Sequence, residues 1–317
     1  MSPLGAASQL LEIAAALALA PLFAGWVAQC RAWLQNRSGP GLLQPYRLLH
    51  KLFHKDSVIA AHASPLFRIA PYVVFGCMTL ACGIVPTLST DLPLSPAADA
   101  IALVGLFALA RVFVSLAAMD VGTAFGTLGA RREMLVGFLA EPALLMVFFS
   151  AALISDSTSL TTIVKTLSSQ ALVIRPSLAF AAVALVMAAL AENARVPVDN
   201  PATHLELTMI HEALVLEYSG RHLALIEWAS ALKLFAYACI GIALFAPWGI
   251  AQAHAPGALL LALPVLAGKL AVAGFALAAL ETLSAKMRIF RVPEFLGMAF
   301  LLAVIAMLVA ILLQGAP

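Results

Sequence analysis

Charge is what this sequence has least of: only 11% of its 317 residues are Asp, Glu, Lys or Arg, where soluble domains carry about 25%. Apolar residues make up 63% and mean hydropathy is +1.00, which leaves too little polar surface to cover a water-exposed globule. A soluble enzyme and a disordered chain are both excluded. A nucleic-acid binder is excluded too, because the net charge is only +2 and the isoelectric point lies near 8.4.

Cysteine is scarce as well. Cys30, Cys77, Cys82 and Cys239 lie in apolar stretches with no C-x-x-C pair among them, so the closely spaced ligands of an iron–sulfur cluster are missing. They read as small apolar side chains in helices. His211-Glu212 begins like a zincin motif but continues Ala213-Leu214-Val215, without the second histidine. There is no P-loop, no dinucleotide fingerprint, no nucleophile triad and no internal repeat. No metal site is therefore read from the residues, and the chain is expected to perform no covalent chemistry alone. Its first thirty residues lack a basic n-region and contain Glu12, so they are expected to remain as a membrane helix.

What is present is a series of apolar runs long enough to cross a bilayer, which takes about 20 residues each. Eight are expected, over 8–32, 67–89, 98–119, 133–155, 174–194, 222–246, 258–282 and 294–315. The fold class is thus all-α, a single polytopic membrane domain over 1–317. Thirteen basic residues fall in alternate inter-helix segments, two (Lys165 and Arg175) in the others, and Arg111, Lys233 and Lys269 within spans. That bias places both termini outside.

Two inside loops stand out. The loop over 35–64 mixes Leu42, Leu43, Leu48, Leu49, Leu52 and Phe53 with basic residues and histidines, a pattern that suits an amphipathic helix at the interface. The loop over 192–221 is the polar centre of the protein. With the start of the next span it holds Glu192, Asp199, Glu206, Glu212, Glu217 and Glu227, together with His204, His211 and His222. A helix opening at Asn200-Pro201 would set Glu206 and Glu217 on one face. Such a segment is either a solvated loop or a partly buried set of protonatable carboxylates. Within the spans, Arg111, Glu141, Glu227, Lys233 and Lys269 each cost about 2.5–3.5 kcal/mol or a comparable amount if left bare in lipid. They should face the bundle interior, either as static ion pairs or as parts of a proton path.

Three segments resemble one family. Gly41-Leu42-Leu43-Gln44-Pro45 with Lys51-Leu52-Phe53-His54-Lys55-Asp56 is similar to the first inside loop of subunit 1 of respiratory complex I, the membrane subunit that anchors the peripheral arm. Ala191-Glu192-Asn193-Ala194-Arg195-Val196-Pro197-Val198-Asp199 resembles that family's Ala-Glu-x-x-Arg-x-Pro-Phe-Asp, with Val198 in place of Phe, and Glu217-Tyr218-Ser219-Gly220 matches its Glu-Tyr-Ser-Gly. Within the family, the run from Asn200 to Glu212, the run from Ala118 to Gly126 with Arg132-Glu133-Met134, and the run from Lys286 to Glu294 resemble the corresponding subunits of formate hydrogenlyase and hydrogenase-4.

The resemblance implies a membrane-arm subunit of the bacterial inner membrane with no prosthetic group of its own. Its inside loops would dock an iron–sulfur small subunit and a large subunit. Those partners carry [4Fe-4S] clusters and, in true hydrogenases, a nickel–iron centre. Antiporter-like membrane subunits would be further partners. Docking would fall to Gln44, Pro45, Arg47, Lys51, Lys55, Arg195 and Tyr218. A proton path would run through Glu192, Asp199, Glu206, Glu212, Glu217, Glu227, Glu141, Lys233 and Lys269. The alternatives are a quinone-site subunit of a complex I-type NADH dehydrogenase and a purely structural anchor.

Overall fold

The computed structural model describes residues 3–94, 97–169, 175–199, 209–251 and 256–314. It is built from helices: α1 (Pro3–Leu34), α2 (Gln44–Phe53), α3 (Pro65–Ile84), α4 (Ala100–Asp120), α5 (Ala124–Ser155), α6 (Leu160–Ser169), α7 (Pro176–Glu192), α8 (His211–Val215), α9 (Gly220–Phe245), α10 (Pro256–Leu283) and α11 (Val292–Gln314). Among the described residues the only β-pairings are two isolated bridges. Among the described residues seven helices are long and apolar enough to cross a membrane, namely α1, α3, α4, α5, α9, α10 and α11. The eighth expected span, 174–194, is the apolar but shorter α7, of 17 residues.

Small residues let these helices approach closely, which is how helices associate where lipid removes the hydrophobic drive. On α11 the residues Ala299, Ala303 and Ala306 are fully buried against α5 and α7, whereas Leu301, Ile305, Leu308 and Leu312 point away. The large side chains are thus left for lipid or for partner helices. On the far side of the molecule, α10 leans on α1, where the Trp26 indole donates to the Ala271 carbonyl at 2.9 Å.

The loops gather at two ends. At one end, Thr90 N–H donates to Ala251 O, Ala100 N–H to Thr158 O and Leu160 N–H to Ala98 O. Helix α3 ends at Ile84 rather than at the expected residue 89, because Pro86 holds Val85 in an extended conformation, and Glu12, buried on α1, accepts from the Thr87 and Leu88 N–H groups that follow. The short helix α6 packs Leu160, Ile163 and Val164 into the core at this end, an element that hydropathy does not reveal.

At the other end lie the loops rich in Lys and Arg, and they are fastened to one another. Helix α2 is amphipathic as expected, burying Leu49 and Leu52 against Ala224 of α9. Ser219 Oγ accepts from Val58 N–H and donates to Val58 O, both at 2.8 Å. The ring of Tyr218 stacks on Phe67 at 4.0 Å, and its hydroxyl donates to the Phe67 carbonyl at 3.0 Å. Burial and the nearby charge of Asp120 push the Tyr218 phenol well above its usual range, so it stays a neutral donor. Helix α5 begins at Ala124 rather than 133, because Thr123 caps it and its first turns pack on α8.

The two large loops also meet closely at Gly220, whose φ is +53°. A Cβ there would lie 2.8 Å from the carbonyl oxygens of Asp56 and Lys55. Gly220→Ala is therefore expected to lower stability by about 1–3 kcal/mol, whereas Gly268→Ala, which meets nothing within 4 Å, should be near neutral. Thermal melting of the detergent-purified protein checks both.

Candidate functional site: a buried cluster of ionisable groups

A guanidinium lies in the middle of the bundle. Arg111 is the one charged residue in the interior of α4, and its side chain is 4% exposed. Three carboxylates surround it. Glu133, Gly137 and Glu141 are spaced four residues apart along one face of α5. The guanidinium crosses α5 over Gly137, with Nε 3.6 Å from Glu133 and one terminal nitrogen donating to Glu141. Its other terminal nitrogen donates to Glu192, the last residue of α7. The second oxygen of Glu192 faces Lys233 of α9 at 2.8 Å.

The cluster thus draws one group or pair of groups from each of four helices. Glu133, Glu141 and Glu192 against Arg111 and Lys233 leave it at −1 when all are ionised, so one proton would make it neutral. A net charge in a dry interior is strongly disfavoured. Beside the cluster is a cavity of about 50 Å³ lined by Arg111, Glu133, Glu192, Ser230, Lys233 and His211. It has room for about three waters and enough polar groups to hold them. Glu141 marks the outer limit of the cluster, its side chain 29% exposed on the flank of the bundle.

The segment leaving α7 connects this interior to the basic loops. Three residues after Glu192, Arg195 pairs with Glu281 of α10 at 3.2 Å, and the other oxygen of Glu281 takes Arg31 of α1 at 3.3 Å. Asp199, also buried, pairs with Lys286 at 3.3 Å and accepts from the backbone N–H groups of Ile210 and His211.

The expected path residues therefore separate. Glu141, Glu192 and Lys233 are brought together. Glu227 and Glu212 are half-buried and lie within electrostatic reach of each other and of His211. Asp199 belongs to the loop ion pairs, and Glu217 is exposed. Lys269 is committed elsewhere: its amine donates to Ala246 O at 2.6 Å and to Trp248 O, and sits 4.9 Å from the Trp248 ring, completing the end of α9. Glu206 lies outside the described residues.

Of the expected docking residues, Gln44, Arg47, Lys51 and Lys55 are exposed and Pro45 is half-buried, while Arg195 is occupied by Glu281 and the Tyr218 ring is turned into the chain. Sequence reasoning left out Glu133 and Glu281. The four-residue spacing of Glu133, Gly137 and Glu141 was the available signal for the first.

A second concavity is apolar. It measures about 670 Å³ and runs between α7, α9 and α10, lined by Leu185, Leu190, Leu234, Ile242, Val272 and Leu277, with Arg195 and Lys269 among its few polar groups.

The sequence profile described as NADH dehydrogenase matches residues 8–312. The chain is 34% identical over 296 residues to formate hydrogenlyase subunit 4 of Escherichia coli (strain K12), covering 92% of this chain and 95% of that protein. It is 36% identical over 252 residues to hydrogenase-4 component C of the same organism, covering 78% of each. Among solved structures, a chain of the membrane-bound sulfane sulfur reductase, an archaeal respiratory membrane complex, superposes with a TM-score of 0.83 at 21% identity, covering 95% of this chain and 98% of that one.

The cluster depends on the bare backbone at Gly137, where a Cβ would collide with the Arg111 guanidinium. Gly137→Ala is expected to cost about 1–3 kcal/mol by overpacking. Gly105→Ala on α4, with nothing within 4 Å of the added carbon, serves as the silent control in the same melting and membrane-accumulation assays.

Proposed function

Since the chain belongs to the NADH dehydrogenase subunit 1 family, we propose that it is the membrane-arm subunit of a hydrogenase-4- or formate-hydrogenlyase-like oxidoreductase. It anchors a cluster-bearing peripheral arm at its basic loops and links electron transfer there to proton movement through the Arg111–Glu192 cluster. The observation that carries this reading is the buried cluster itself. Three carboxylates and two cations stand at −1 beside a water-sized cavity, in a protein with too few charges to waste any.

The mechanism follows from the connection between cluster and loops. Residues 192–199 carry Glu192 at one end and Arg195 and Asp199 toward the other, so a charge arriving in a docked partner acts on one short segment. Charges at short range in a low-dielectric setting interact by several kcal/mol (about 4 at 4 Å with an effective dielectric of 20), enough to change which carboxylate holds the proton. Glu141, on the flank of the bundle, is where that proton would pass to an antiporter-like membrane subunit.

Iron–sulfur clusters and a nickel–iron centre belong, in this reading, to the docked partners. The membrane is the bacterial inner membrane, with both termini outside. A second reading, a quinone-site subunit of a complex I-type dehydrogenase, is favoured by one observation, the apolar groove between α7, α9 and α10. A neighbouring large subunit with two paired-Cys nickel motifs would favour the hydrogenase.

Glu192→Gln leaves the buried groups neutral overall, so assembly and cluster reduction are expected to be normal while proton-coupled turnover falls roughly 100-fold, the lower end for a positioned acid–base group. Full turnover with unchanged proton stoichiometry would sink the proton path and leave a structural anchor. Separately, reversing the charges of Arg47, Lys51 and Lys55 together should release the peripheral arm while this subunit stays inserted, as read by co-purification from membranes.

A further inference from the structure

We propose that His211 is the relay that passes protons between the basic-loop face and the buried Arg111–Glu192 cluster, through water held in the cavity between them. The inference rests on the proton-path reading and adds to it the group through which protons enter.

Four observations converge on this histidine. It lines the cavity of about 50 Å³ that Arg111, Glu133, Glu192 and Lys233 also line. It is half-buried, so it is neither sealed in the bundle nor free in solvent. Its backbone N–H is held by Asp199 at 3.4 Å, which fixes where the side chain starts. Away from the cavity it lies within electrostatic reach of Glu227, which in turn interacts with Glu212.

The groups facing it are thus Glu133 from α5, Arg111 from α4, Glu192 from α7, Glu227 and Lys233 from α9, Glu212 from its own short helix and Asp199 from the preceding loop. Arg111 and Lys233 stand against the carboxylates as their cationic partners. A carboxylate can store a proton, but an acid fully ionised or fully protonated does not shuttle it. Imidazole can take a proton on one ring nitrogen and release one from the other near neutrality.

The transfer balances without any redox partner. His211 gains a proton from the face of the basic loops, becoming imidazolium. The proton on its other nitrogen passes to a cavity water, and that water gives one of its own to Glu192 or Glu133. The ring is left neutral as the other tautomer and returns by rotation or by proton exchange with the solvent side. The cluster moves from −1 to neutral, the direction that burial favours. Ser230, whose hydroxyl lines the same space, supplies a further hydrogen-bonding group for the water.

The test uses the whole assembled complex in proteoliposomes, with electrons supplied by reduced methyl viologen and proton movement followed by an entrapped pH dye. His211→Gln keeps the size and hydrogen bonding of the side chain but cannot titrate, and His211→Ala opens a space that imidazole can occupy. Both are expected to assemble with normal cluster reduction, and to slow proton movement roughly 100-fold, at the low end for a lost acid–base group. Added imidazole should restore a measurable part of the activity in His211→Ala, and none in Ser230→Leu, which fills the cavity while His211 remains.

Normal proton movement in both His211 variants overturns the relay, as does loss in His211→Ala without any response to imidazole. Failure of both variants to assemble would make the residue structural and overturn it equally. If Glu192→Gln is impaired while the His211 variants are normal, the relay falls but the proton path stands. If Glu192→Gln is itself silent, the reading beneath it falls first.

Discussion

The guanidinium of Arg111, set in the middle of a membrane helix, is the constraint that the surrounding structure answers. Left without partners it would cost about 2.5–3.5 kcal/mol or more, and every element around it is shaped to avoid that. Helix α5 has no side chain at residue 137, where the guanidinium crosses it, and carries a carboxylate one turn to either side. Helix α7 ends on the carboxylate that takes the remaining nitrogen, and Lys233 of α9 occupies the other side of that same group. The cluster carries one carboxylate more than it has cations, and a small cavity adjoins it.

The loops at the basic end form a plate rather than a set of tethers. Glu281 joins α1, α10 and the segment after α7 through Arg31 and Arg195, and Asp199 joins that segment to Lys286 and to the start of α8. Ser219 and Tyr218 attach the 35–64 loop and α3 to the start of α9. Glu192 lies within a few residues of these ion pairs, and the cationic side chains Arg47 and Lys51 of α2 stand exposed beside them.

Much of this was legible in the sequence. The spans follow from apolar length, and the alternation of Lys and Arg marks the two loop ends, because both signals are local and large. Arg111, Glu141 and Lys233 were identifiable as expensive charges that had to turn inward, and Glu192 as a candidate carboxylate of the polar loop. What the sequence could not show was pairing. Glu133 is the first residue of the expected span, directly after Arg131 and Arg132, so it reads as a charge at a helix edge until a cap at Thr123 and packing on α8 carry the helix back past it. For Asp199 and Lys269 the sequence suggests a role by residue type but not the partners, which are Lys286 for the first and the end of α9 for the second. Glu281 and Glu12 look incidental in the chain, because their partners are remote or are backbone amides.

That remoteness has a consequence for how the protein is made. Glu12 enters the bilayer with the first helix, yet the amides that satisfy it follow 75 and 76 residues later. Arg31 precedes its carboxylate by 250 residues. Arg111, by contrast, waits only 30 residues for Glu141, and Glu192 arrives to find Arg111 already in place. The ionisable core closes in mid-translation, and the Glu281 bracket that ties the first helix to α10 can form only near the end.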